Sequence, residues 1–222
     1  MTNSTVEATL ATPLTPDNCA CLLIDHQEGL LRFLPSTDPA TLMDNILGLA
    51  GGAKAFGLPT LLGTSWPSGP NGPTLLALTT LLPDAPIIDR PFVNLWDDDA
   101  SKEWVAGTGR KKLIIAGLAT EVCVALPAIS AVQAGYEVYA VVDASADFNP
   151  FVQQISTLRL MSAGVVVTTW VAVLAELASN TRVNGHHIAR LLKEHVPAYA
   201  AEFERWAASD PRAPAMRAEL GV

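Results

Sequence analysis

The chain has 222 residues, half of them hydrophobic and 16% charged, with a formal net charge of −8. That length and composition suit one sizeable domain with a substantial core and exclude a disordered chain. The acidic balance and the absence of any basic run exclude nucleic acid as a partner, and no apolar run reaches the length of a membrane span.

The elements follow in chain order. Met1 to Asp17 is polar, holds Pro13 and Pro16, and reads as an N-terminal arm. It lacks the basic start and apolar stretch of a secretory leader, so the expected location is cytoplasmic. Cys19 to Asp25 (CACLLID) is an apolar run ending in a carboxylate and reads as a buried strand. Cys19 and Cys21 alternate around Ala20 and so share one face. With Cys123 they make three cysteines, an odd count without the spacing of a disulfide framework. Thr41 to Phe56 has helical spacing and stops at Gly57. Pro59 to Thr64 is a second strand, and Ser65 to Pro73 (SWPSGPNGP) is a loop dense in Gly and Pro. Leu75 to Leu82 is a short helix and Ile87 to Asp89 a short third strand. Asp98 to Gly107 is a helix capped by the acidic cluster Asp97, Asp98 and Asp99.

Arg110, Lys111 and Lys112 read as a solvated turn before the fourth strand, Lys112 to Ala116. Glu121 to Ala134 is a helix, Glu137 to Asp143 a strand, Pro150 to Ala163 a helix and Val165 to Thr169 the sixth strand. The remainder is helical, including Ile188 to Glu194 and Tyr199 to Ala208. Short, uniformly apolar strands alternating with helices predict an α/β protein. It is a three-layer α/β/α doubly wound fold with a six-stranded, mainly parallel sheet and a helical C-terminal tail. The expected organisation is an arm over 1–17, a core over 18–170 and a tail over 171–222. The tail packs on the sheet or reaches a neighbouring subunit. The low charge leaves apolar surface for sister subunits to cover, so a homo-oligomer is expected.

Ligands of such folds sit beyond the carboxyl ends of the strands, near the switch in strand order. Asp25, Arg90 and Cys123 stand at or just after such ends. Cys123 falls in the first turn of a helix, where the dipole favours thiolate and free N–H groups can stabilise an oxyanion. It also reads as a small buried hydrophobe. Asp25 reads as a general base or as a turn cap. Arg90 could hold Asp25 ionised, stabilise a thiolate, bind an anionic substrate, or simply sit on the surface before Pro91. Gln27, Trp66, Phe92, Asn94 and Trp96 are candidate substrate-binding residues, the aromatic ones equally plausible as subunit contacts. His26 alternates away from Asp25, and His186, His187 and His195 read as surface or packing residues.

Six segments then carry a resemblance. They are LLIDHQEGLL (Leu22 to Leu31), GPNGP (Gly69 to Pro73), PDAPIIDRP (Pro83 to Pro91), NLWDD (Asn94 to Asp98), KKLIIAGLATEVCVALPAISA (Lys111 to Ala131) and VVDASADFN (Val141 to Asn149). Across roughly Thr15 to Tyr199 the chain resembles the isochorismatase-like cysteine hydrolase superfamily, on its YcaC-like branch. The resemblance implies a catalytic triad of Cys123, Asp25 and Arg90. It implies a cis peptide at Leu118-Ala119 that aims the N–H groups of Ala119 and Cys123 at an oxyanion. It also implies an octamer, as in relatives of that branch. The expected activity is hydrolysis of a small amide- or ester-like substrate through an acyl-thioester, without a cofactor. Most of the superfamily has Lys where this chain has Arg90, and the YcaC-like branch resembles it in having Arg. Between Gly48 and Pro73 there is no His, so the metal site of nicotinamidase relatives is not expected. The alternatives are a hydrolase without covalent catalysis, of the isochorismatase type, and a non-catalytic oligomeric binding protein that keeps the fold.

Overall fold

Six apolar runs become six strands in the computed structural model, which describes residues 12–220. They are β1 (Cys19–Ile24), β2 (Thr60–Thr64), β3 (Ile87–Asp89), β4 (Lys112–Gly117), β5 (Glu137–Val141) and β6 (Val166–Thr168). All pairings are parallel, in the order β3-β2-β1-β4-β5-β6. The sheet is therefore wholly parallel where sequence reasoning predicts one mainly so. Every residue of β1, β2 and β4 is buried, because helices cover both faces of the central strands.

Strand alternation divides the core. Cys19, Cys21, Leu23, Ile114, Ala116 and Tyr139 meet Leu42, Ile46 and Leu49 of α2 (Pro39–Ala55) and Val173 and Leu174 of α7 (Trp170–Ala178). The opposite face sets Ala20, Leu22, Ile24, Leu113 and Ile115 against Val105 of α4 (Asp99–Gly107), Ala128 of α5 (Ala125–Gln133) and Leu160 of α6 (Pro150–Ser162). Each such Leu, Ile or Val contributes about 1.5–3 kcal/mol on burial.

The other helices are α1 (Glu28–Phe33), α3 (Leu76–Leu81), α8 (Thr181–His195), α9 (Pro197–Ser209) and α10 (Ala213–Leu220). Leu191 of α8 joins the core cluster of α2 and α7, so this part of the tail packs back on the body. Among the described residues no helix is long and apolar enough to cross a membrane.

One expectation is refined and two need correction. Residues 1–11 of the expected arm lie outside the described residues, but its remainder is anchored: Leu14 is fully buried and its N–H donates to Glu176 Oε2 at 2.8 Å. Lys112 is not solvated. It is 3% exposed, its ammonium pairs with Glu137 at 2.8 Å, and it donates to Tyr139 Oη at 3.1 Å, so a buried charge is offset by a partner. The helix after β4 starts with a wide π-helical turn over Thr120–Val124 before α5, rather than as a regular α-helix.

The switch in strand order lies between β1 and β4, whose carboxyl ends meet at Ile24 and Gly117. A Cβ on Gly117 would lie 2.5 Å from the Ile24 carbonyl oxygen, so only glycine permits this approach. Asp25 leaves one of these two strand ends and the turn carrying Cys123 leaves the other.

Candidate active site

Asp25 is the first residue past β1 and takes φ of 57°, a left-handed conformation that Asp tolerates better than most residues. Its N–H donates to Gly63 O at 2.8 Å and its carbonyl accepts from the Gln27 N–H at 2.7 Å. The carboxylate thereby faces Arg90, which follows β3. Arg90 forks onto it: Nη1 donates to Oδ1 at 2.7 Å and Nη2 to Oδ2 at 2.8 Å. Both side chains are fully buried. The remaining Nη1 and Nη2 hydrogens reach the carbonyls of Thr64 at 3.1 Å and Val93 at 3.3 Å. Burial works against the Arg90 charge, but the bonds and charge of Asp25, helped by Cys123, outweigh it and hold the guanidinium above its ordinary pKa.

A third donor comes from the loop after β2. Ser65 Oγ donates to Asp25 Oδ2 at 3.1 Å, and Asn71 Nδ2 donates to Ser65 Oγ at 3.1 Å and to Ser65 O at 2.9 Å. Asn71 is held in place by α1, whose Gly29 N–H donates to Asn71 O at 2.8 Å. A Cβ on Gly29 would lie 1.9 Å from Pro70 O, so glycine lets the loop lie on the helix.

Cys123 sits in the π-helical turn. A cis peptide joins Leu118 to Ala119 just before it. The turn is pinned by Thr120 N–H donating to Ala146 O at 2.9 Å and Glu121 N–H donating to Asp147 Oδ2 at 3.1 Å. Burial raises Asp147 to about 6, although the Ser156 hydroxyl donates to the same oxygen at 2.9 Å. Cys123 is half-buried, whereas Cys19 and Cys21 are fully buried. Burial pushes the Cys123 thiol well above its ordinary range, and the Asp25 carboxylate adds to the rise. Arg90 and the Ala119 N–H pull the other way. Desolvation thus works against the turn's field, so the surroundings disfavour the thiolate expected of a helix start.

The predicted oxyanion donors also separate. The Cys123 N–H already donates to Ala119 O at 2.8 Å, closing the turn, and is not free for an oxyanion. No such bond engages the Ala119 N–H among the described residues.

Asp25, Arg90 and Cys123 open into one cleft of about 560 Å³. Ser65, Trp66, Asn71, Asp89, Pro91, Phe92 and Val93 complete its lining. Trp66 takes φ of 49°, unusual for an aromatic residue, and is 65% exposed. Of the predicted substrate-binding residues, Trp66 and Phe92 line the cleft and three others do not. Gln27 is fully buried, and its amide joins the Ser65 backbone to the loop. Asn94 Oδ1 caps the turn over Leu95–Asp97, and its Nδ2 donates to Ser130. Trp96 packs edge-on against Tyr136, with ring centroids 5.4 Å apart. Ser65 and Asn71 were missed by sequence reasoning, because loop composition does not reveal which polar side chain turns inward. His26 points away from the cleft, with Nε2 3.0 Å from Ala144 O. His186 lines a larger hollow of about 730 Å³ among α8, α9 and α10. That hollow contains neither a thiol nor a buried ion pair, so the chemistry favours the smaller cleft.

A half-buried thiol beside a buried carboxylate–guanidinium pair, at the switch point of a parallel sheet, defines a hydrolase-type α/β site. The model of the Isochorismatase domain family matches residues 19–172. The chain is 43% identical over 187 residues to the Escherichia coli protein named Probable hydrolase YcaC, spanning 84% of this chain and 90% of that one. The crystal structure of E. coli YcaC, described as an octameric hydrolase of unknown specificity, superposes with a TM-score of 0.87 at 40% identity, covering 90% of this chain and 98% of that one. YcaC from Pseudomonas aeruginosa, solved with hexane-2,5-diol and covalent acrylamide, gives 0.86 at 40% identity, covering 88% and 97%. The chain belongs to the isochorismatase family, on its YcaC-like branch, and is a hydrolase by class.

Proposed function

We propose that the protein is a cysteine hydrolase that cleaves small amide- or ester-like substrates with Cys123 as nucleophile, Asp25 as proton carrier and Arg90 as its fixed counter-charge. The observation that carries this reading is the opening of all three into one cleft. Oδ2 of Asp25 accepts from both Arg90 and Ser65, whereas Oδ1 accepts from Arg90 alone, which leaves a lone pair on Oδ1 for the thiol proton. As the S–H bond breaks and an O–H bond forms at Asp25, the sulfur attacks the substrate carbonyl carbon. The Ala119 N–H stabilises the resulting oxyanion. The tetrahedral species expels the amine or alcohol, which takes the proton from Asp25, and an acyl-thioester remains. Asp25 then draws a proton from water, the hydroxyl adds to the thioester, and the acid leaves as the proton returns to sulfur. Arg90 keeps its charge throughout and cannot exchange protons.

Covalent acrylamide in the P. aeruginosa relative, a small uncharged amide that alkylates thiols, supports a cleft of this kind here. The test is hydrolysis of a panel of p-nitrophenyl esters and anilides by the wild type and Cys123→Ser. Loss of at least about a thousandfold in kcat/KM is expected, and equal rates would refute the nucleophile.

We also propose a homo-oligomer, as described for E. coli YcaC. In its support, Phe151, Ile155, Leu158 and Met161 form an exposed apolar stripe along α6 that a second copy would cover.

A further inference from the structure

We infer that the cleft selects its substrate by charge: it admits uncharged and cationic acyl groups and rejects anions, with Asp89 as the selecting residue. The inference rests on the reading of this cleft as the hydrolase site. Arg90 is the only cation lining it among the described residues, and its four terminal hydrogens already have acceptors. Only its Nε–H has no partner, and that atom is buried. One N–H can meet a carbonyl or a water but cannot fork onto a carboxylate. A role for Arg90 as an anchor for an anionic substrate is therefore closed by its own geometry.

The negative side is not balanced. Asp25 is neutralised by Arg90, but Asp89, the last residue of β3, is exposed and lines the same cleft. It accepts a long bond from Thr64 Oγ1 at 3.4 Å and has no cationic partner among the ion pairs of the described residues. Two carboxylates, Asp25 and Asp89, against the one guanidinium of Arg90 leave a formal excess of one negative charge among the lining residues. The chain's overall −8 adds to that field. Besides the polar Ser65 and Asn71, the lining carries exposed apolar side chains: Trp66, Phe92 and Val93 are 65%, 46% and 63% exposed. Exposed aromatic and aliphatic side chains with one unpaired carboxylate suit an uncharged acyl chain or one ending in a cation, the latter over an aromatic face.

The test uses two reagents of nearly equal size on the same sulfur, iodoacetamide and iodoacetate. In each case the thiolate carbon–sulfur bond forms as iodide leaves. Both reagents see the same thiolate fraction, so the ratio of their rates reports charge selection and not acidity. Cys19 and Cys21 are fully buried, and mass spectrometry of the Cys123 peptide gives both rates. The iodoacetamide-to-iodoacetate ratio at Cys123 should exceed that of N-acetylcysteine by about five- to tenfold. Asp89→Lys should push it below the N-acetylcysteine value, an inversion that unfolding alone would not give. A wild-type ratio equal to or below that of the small thiol would overturn the inference, and so would a Cys123 inert to both reagents. An unchanged ratio in Asp89→Lys would overturn the assignment to Asp89. The ratio requires no turnover, so ester hydrolysis that survives Cys123→Ser would sink the nucleophile while leaving charge selection standing.

Discussion

Replacing Arg90 by Met tests the ion pair directly. The substitution removes both forked bonds and leaves the Asp25 carboxylate buried with the Ser65 hydroxyl at 3.1 Å as its remaining side-chain donor. Breaking a buried pair from one side typically costs about 3–5 kcal/mol, because an uncompensated charge remains. For a chain of 222 residues that corresponds to a Tm lower by roughly 6–20 °C. The double variant Asp25→Asn/Arg90→Met removes both charges, and Asn tolerates the left-handed backbone at this position. It should recover at least about 2 kcal/mol relative to the sum of the single variants. Urea denaturation followed by tryptophan fluorescence measures all four proteins, at one protein concentration because assembly shifts apparent stability. All three variants should lose hydrolysis, which separates the electrostatic effect from the catalytic one. Additive losses in the cycle would refute a coupled pair.

Two other predictions concern the frame of the site. Burial lowers His26 to about 4 against an unfolded value near 6.5, so it is neutral in the fold. A depressed group contributes stability that is present above about pH 6.5 and is lost as pH falls through about 4; His26→Gln should flatten Tm against pH in that window, and an unchanged slope would count against it. Gly29→Ala would place a methyl 1.9 Å from Pro70 O and displace the loop that holds Asn71. It should lower kcat/KM for ester hydrolysis by about tenfold or more while Cys123 alkylation continues, and unaltered hydrolysis would show that the loop's position does not matter.

The sheet was legible because its signal is short-range. Runs such as CACLLI and KLIIAG are apolar throughout, and complete burial on both faces is the main environment that tolerates them. Asp25, Arg90 and Cys123 stood out as chemically potent residues at strand ends, and the topology brought those ends together. The short helix α1 was not legible. Its six residues are too few for periodicity to speak, and it is held by the loop folded over it through the Glu28 and Gly29 N–H groups. The cleft wall failed for a related reason. Asn94 and Trp96 lie in the same loop after β3 as Phe92, but one caps a turn and the other packs on Tyr136. Which way a loop side chain turns is set by contacts distant in sequence, and composition carries no trace of them.

The sulfur's surroundings are where sequence and structure part, and the difference changes what the site has to do. A thiolate made permanent by a strong field would be a weaker nucleophile, because nucleophilicity falls with pKa. Burial and the carboxylate beside it instead push the Cys123 thiol upward. In the mechanism we propose its proton leaves only when an acceptor takes it, and Asp25 is both the neighbour that raises the thiol's pKa and the base that relieves it. Arg90 offsets the cost of burying that carboxylate through two short bonds. Lysine, a point charge without the planar fork, could not make both bonds with one rigid group. In such a site the reactive anion arises beside a bound carbonyl rather than in the empty cleft, which limits side reactions of an accessible sulfur. Wild-type alkylation by iodoacetamide should therefore keep rising above pH 8.5, the midpoint of an ordinary thiol, and a plateau below that pH would contradict a buried, base-dependent nucleophile.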